Sequence, residues 1–149
     1  MSTPATGSST SAPTGSSATG FVMVARLTLV LIAVQFALAG LGAFHGLGGG
    51  DLEGGLWQPH NVLGYGIGLL TLVLLLLALG QRLGHGVVRW TAVVAGLTLI
   101  GQPVLSMLGE DVSVWFGPLH ALNAVVIAAV LGIVSARLGR SGAQGVGQR

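Results

Sequence analysis

The chain has 149 residues, 52% of them apolar and only 7% charged, with a net charge of +2 and a mean hydropathy of +0.84. A soluble domain carries roughly 25% charged residues, so the composition excludes one and indicates an all-α integral membrane protein with almost no soluble mass. Cysteine is absent, which excludes disulfides, iron–sulfur clusters, thiolate metal sites and covalently attached haem and leaves nitrogen, oxygen or shape to hold any cofactor.

Residues 1–20 are Ser, Thr, Pro, Gly and Ala without a charge, a composition that buries no core and reads as a disordered cytoplasmic tail. Four apolar runs follow, at about 21–43, 59–80, 88–109 and 114–137. As helices they measure about 33–36 Å, enough to cross a hydrocarbon layer of about 30 Å. The four spans make one transmembrane domain over 21–138, and 139–149 form a second cytoplasmic tail. A cleaved signal peptide competes for the first span, because Arg26, an apolar run and Ala37-Leu38-Ala39 follow that pattern. The internal repeat described below argues for four retained spans.

Charge orients the bundle. Arg26 precedes most of the first run, Arg82 and Arg89 sit between the second and third, and Arg137, Arg140 and Arg149 follow the fourth. Asp51 and Glu53 lie between the first and second runs, and Glu110 and Asp111 between the third and fourth. Arginine excess marks cytoplasmic segments, so both termini are expected inside and His45, His60 and His120 near the outer surface. The pI of 10.6 therefore reports topology and implies no nucleic-acid partner. Lysine is absent while Ala, Gly, Val and Leu abound, the residue bias of a GC-rich bacterial genome. The expected location is a bacterial cytoplasmic membrane, with the lipid bilayer as partner.

The spans read as two tandem helical hairpins. Gln35, Leu38, Leu41 and Gly42 recur as Gln102, Leu105, Leu108 and Gly109, at a constant offset of 67 residues. Trp57, Pro59, His60 and Asn61 recur in order as Trp115, Pro118, His120 and Asn123. Helices with the same entry and exit sides are related by an axis along the membrane normal, which makes Gln35 equivalent to Gln102 and His60 to His120. At 100° per residue each span has one face of polar and small residues. These are Thr28, Gln35, Ala39 and Gly42; His60, Gly64, Gly68 and Thr71; Thr98, Gln102, Ser106 and Gly109; and His120, Asn123, Ala124 and Ala128. Such faces turn inward, because polar groups facing lipid are costly.

Three readings of His60 and His120 are open: wet rings at the headgroup level, helix–helix hydrogen bonding, or axial ligation of a b-type haem inside the bundle. Gly64, Gly68, Ala124 and Asn123 then border the porphyrin, and Gln35 and Gln102 support a histidine or a propionate. The same residues have plainer roles. Gly64 and Gly68 form a GxxxG packing motif, and the glutamines can bridge neighbouring helices. Pro103 is expected to kink span 3. His45, His85 and the glycine-rich segment 46–55 read as loop residues, and Trp57, Trp90 and Trp115 as interface anchors.

Histidines opening the second and fourth helices of a doubled hairpin, His60 and His120, resemble one half of haem A synthase. In that family each four-helix half binds haem through two such histidines, so the resemblance implies that His60 and His120 are axial ligands. It covers about residues 21–138. Half of that enzyme's bundle and its outer-loop cysteine pair are missing here, and Trp57-Gln58-Pro59 stands where an acid precedes the histidine. The resemblance therefore implies haem binding without haem oxidation. The segments Gln35-Phe36-Ala37-Leu38-Ala39-Gly40 and His120-Ala121-Leu122-Asn123-Ala124 are similar to an uncharacterised family of small four-helix bacterial membrane proteins.

The function expected from these readings is haem b binding near the outer face, for electron transfer or haem handling with a redox partner. The alternative is a non-enzymatic accessory subunit that packs, without cofactor, against a larger membrane complex. A quinone-type small molecule lined by Gln35, Gln102 and the histidines is a third occupant of the same space.

Overall fold

A backbone that crosses hydrocarbon must satisfy its own hydrogen bonds, so apolar runs of this length become helices. The computed structural model describes residues 15–47 and 57–146. It comprises α1 (Gly15–Leu47), α2 (Trp57–Gly80), α3 (His85–Gly96), a π-helical turn (Leu97–Gly101), α4 (Gln102–Asp111) and α5 (Phe116–Val146). No strand occurs among the described residues. The third span is α3, the π turn and α4 taken together. Four segments, Ala18–Ala43, Gln58–Gly80, His85–Asp111 and Phe116–Arg140, are long and apolar enough to cross a membrane.

The helices outrun the expected spans. α1 starts within the stretch read as a tail, α5 continues past 138, and His45 and His85 lie on helices rather than in loops. Residues 1–14 and 147–149 and the loop bearing Asp51 and Glu53 lie outside the described residues.

Successive spans run antiparallel. Near one end, a Cβ placed on Gly20 would lie 4.0 Å from the Gln81 amide just beyond α2. Near the other end, the Gln35 side chain bonds to His60 in the first turn of α2. α1 packs on α2 and on α5, and the third span closes the ring against both. The up–down path thus gathers the arginines of the α2–α3 connection and of α5 at one end, with Glu110 and Asp111 at the other.

The dry core fills only the arginine half. Phe21, Ala25, Leu74, Ala78, Leu83, Val94, Leu131 and Val134 are buried there, and Ile32, Ile67, Thr98 and Ile127 form its upper boundary. Inward-facing hydroxyls are handled locally. Thr28, Thr71, Thr91 and Thr98 are buried, and each donates to a carbonyl of its own helix, at Val24, Gly68, Val87 and Val94 respectively, over 2.8–2.9 Å. The first three spans therefore bring hydroxyls inside without needing a partner from another helix, as the fourth does with Ser135, which donates to Gly132 O at 3.0 Å.

The outer faces are the inverse of a soluble protein's. Val30 is 59% exposed, Leu69 62% and Ile100 67%, all in mid-span. In water such faces would merge into an aggregating patch; against acyl chains they cost nothing. Trp90 and Trp115 are exposed near opposite ends of the bundle, as interface anchors are.

The α2–α3 connection is tight and strained. Leu83 donates its amide to Ala78 O at 3.1 Å and Arg82 to Leu79 O at 3.2 Å, the paired bonds of a Schellman turn. Arg82 takes the left-handed position that glycine usually holds, at φ 51°, and Gly84 follows at φ 93°. Gly84→Ala should therefore cost about 1–3 kcal/mol, lowering the unfolding midpoint in detergent. Gly80→Ala, whose new Cβ meets nothing within 4 Å, should leave the midpoint unchanged or raise it.

Candidate functional site

Above the dry core, in the acidic half, the four spans enclose a cavity of about 300 Å³. Its cause lies in the third span. Pro103 carries no amide hydrogen, so a continuous α-helix through it would leave a carbonyl one turn earlier without a donor. The chain instead widens to π geometry over Leu97–Gly101, with the Gln102 amide bonding Leu97 O, and restarts as α4 with Pro103 in the first turn. Pro103 stands where α4 restarts, directly past the widened turn. The expected kink is thus realised as a π bulge, a common form of helix break at functional positions.

Seven of the eight candidate residues line this cavity: Gln35, His60, Gly64, Gly68, Gln102, His120 and Ala124. The eighth, Asn123, is engaged elsewhere. Its Nδ2 donates to Leu97 O over 3.1 Å, pinning the π bulge to α5. Gly101 permits that approach, since a Cβ there would sit 3.2 Å from Asn123 Nδ2.

The two histidine rings face one another with centroids 6.4 Å apart and planes tilted by 45°. Each is tied to the glutamine of its own hairpin, by a different bond. Gln35 Nε2 donates to the His60 carbonyl at 2.8 Å, leaving Gln35 Oε1 buried without a hydrogen-bond partner. His120 Nδ1 lies 3.1 Å from the Gln102 backbone carbonyl. With the proton on Nδ1 donating to that carbonyl, the lone pair is on Nε2, the arrangement that second-shell carbonyls impose on metal-binding histidines. The Gln102 side chain, turned so that both ends are satisfied, accepts from the Ala124 amide at 3.1 Å and places its nitrogen 2.8 Å from His120 Nδ1 and 3.2 Å from Nε2. Both glutamines therefore link neighbouring helices and support a histidine at once, so the two roles weighed for them coincide.

The glycines act as notches. A Cβ on Gly64 would meet Gln35 Nε2 at 3.3 Å, and one on Gly68 would meet Leu99 Cδ2 at 3.1 Å. Gly64 admits the amide that holds His60, and Gly68 seats the third span against α2. The pattern of the sequence singled out these glycines but missed several lining residues, among them Phe36, Tyr65, Leu99 and Pro103. For Leu99, Pro103 was the available signal, because a helix break exposes the residues of the turn before it. Phe36 and Tyr65 carry no comparable signal, since an aromatic in a span is usually lipid-facing. Among the described residues no group of three or more His, Asp or Glu side chains is placed to hold a metal ion, so protein ligation here would rest on the histidine pair.

Gly68→Val forces Leu99 aside and should destabilise the fold by about 1–3 kcal/mol, measured as a lowered unfolding midpoint. Gly66→Ala, where a Cβ meets nothing within 4 Å, should be silent.

Residues 35–107 match the family model described as a family of unknown function (DUF6220). The match opens at Gln35, contains His60, Gly64, Gly68 and Gln102, and stops short of His120. No curated protein matches the chain, and no solved structure does.

Proposed function

We propose that this multi-pass membrane protein binds one b-type haem between His60 and His120, for electron transfer or haem handling. The separation of the two rings carries the reading. Two imidazoles on one iron hold their ligating nitrogens roughly 4 Å apart, twice a metal–nitrogen bond. Each ring centre lies about an ångström behind its nitrogen, so facing rings 6.4 Å apart between centroids match that requirement. A proton on His120 Nδ1 donated to the Gln102 carbonyl would leave Nε2 as the ligating atom. The nearby Gln102 amide is the donor that an iron would displace.

His60 and His120 would be the residues that hold the group. For the macrocycle, a volume of about 300 Å³ stands at the low end of small-molecule pockets, so a porphyrin also needs the cavity's open side. When bound, haem supplies one-electron chemistry at an iron whose potential is set by its two imidazoles and the low-dielectric walls. The chain's own part is to hold both rings, orient His120 through Gln102, and exclude water with the apolar boundary of Ile32, Ile67 and Ile127. By the arginine distribution both termini are cytoplasmic and the histidines lie near the outer face, in a bacterial cell membrane. A redox partner on that side would exchange the electron.

Purification from haem-supplemented membranes tests the reading. The protein should show sharp reduced-state absorption bands, lost in His60→Ala and in His120→Ala and retained in Gly66→Ala. A folded but colourless protein would refute haem binding and turn attention to an accessory subunit of a larger membrane complex.

A further inference from the structure

The wall of the cavity is incomplete on one side. α3 and the π turn pack against α2, yet no Cα of α4 comes within 8 Å of a Cα of α2; apart from the π turn, α4 packs on α5 alone. Beyond Pro103 the third span leans away from its neighbour. The gap that results is bordered by Asn61 and Tyr65 on α2 and by Leu99, Pro103 and Ser106 on the third span, all of which line the cavity. Tyr65 is both a lining residue and 79% exposed, so the cavity reaches the surface beside it.

Depth decides what that surface faces. Tyr65 stands seven residues beyond Gln58, where the second span begins, or about 10 Å along a helix rising 1.5 Å per residue. Leu99 stands twelve residues before Asp111, the end of the third span, or about 18 Å by the same rise. Both edges of the opening are therefore within the spans, level with acyl chains rather than with headgroups or water. Its border also contains the one break in the helical geometry of the third span. α4 is joined to α3 through a π bulge with Pro103 beside it, and one asparagine bond pins that bulge to α5.

We propose that the opening between α2 and α4 is a lateral portal, through which haem dissolved in the bilayer reaches the histidine pair and leaves it. This rests on the reading of the cavity as a haem site. The chemistry agrees with the route. A tetrapyrrole has large apolar faces and partitions into lipid, and passage beside Tyr65 and Leu99 spares them contact with water. α4 is the moving wall, swinging on the π bulge while Gln102 keeps its hold on His120.

The absence of native cysteine makes the test clean. Tyr65→Cys/Ser106→Cys protein, reconstituted without haem, is bridged across the opening with a reducible bis-maleimide and mixed with haem-loaded phosphatidylcholine vesicles. Haem uptake, read as growth of the bis-histidine absorption band, should be lost on bridging and return when the bridge is reduced. Equal uptake by bridged and unbridged protein overturns the portal and leaves the haem site standing. Should the double variant fold poorly, the wild-type chain gives the answer by competition. Excess haem-binding albumin in the water phase leaves uptake intact if haem arrives through lipid, and abolishes it if haem arrives through water. A wild-type protein that never acquires the band overturns the haem reading and the portal with it.

Discussion

Pro103 lacks one hydrogen, and the acidic half of the bundle is arranged around that loss. An amide that cannot donate leaves a carbonyl in hydrocarbon to be satisfied by other means. Just before the proline the chain widens to a π turn in which Gln102 N bonds Leu97 O, and Asn123 from α5 donates to the same oxygen. The remaining features follow from this. The restart of α4 sets Gln102 against the first turn of α5, where its backbone carbonyl meets His120. It also turns α4 off α2 and leaves the volume that the histidines enter. Without the break, α2 and the third span would be expected to stay packed along their length, and the notch at Gly68 would repeat instead of opening into a cavity.

Much of this was legible in the sequence, for identifiable reasons. Spans are set by the thickness of a bilayer and by the cost of unpaired backbone, so hydropathy finds them. The inward faces were legible because a buried hydroxyl is cheap when it bonds to its own helix, as Thr28, Thr71 and Thr98 do. The convergence of Gln35, His60, Gln102 and His120 was legible because equivalent positions in two hairpins with the same entry and exit sides lie at the same depth.

What stayed hidden depends on atoms rather than on periodicity. Asn123 shares a helical face with His120, and its amide donates to Leu97 O in the π bulge, a contact that no helical wheel contains. Gly64 and Gly68 read both as a packing motif and as clearance for a ligand. A GxxxG motif gives close approach without saying what approaches, and here it is Gln35 Nε2 and Leu99 Cδ2. The helix ends, too, lie beyond the apolar runs at Gly15 and Val146, since helix formation outlasts hydrophobicity wherever no proline or turn signal stops it.

The division of the bundle into a packed half and a hollow half answers a physical question about polar residues in lipid. Folding alone does not require two imidazoles and two amides in one apolar bundle. Aliphatic side chains of the same volume would pack without leaving Gln35 Oε1 buried and without a partner, at a usual cost of about 1–3 kcal/mol. The arginine half packs more completely: Phe21, Leu74, Val94 and Leu131 fill the interior and its buried threonines bond to their own helices, although Gln81 Oε1 at its rim is also buried without a partner. In the acidic half the same four helices keep their polar side chains and forgo a dry core. Stability set aside at one end of an otherwise well-packed bundle is where a functional demand on the chain is to be sought, and the histidine pair is the part of that end able to bond to something the chain does not itself supply.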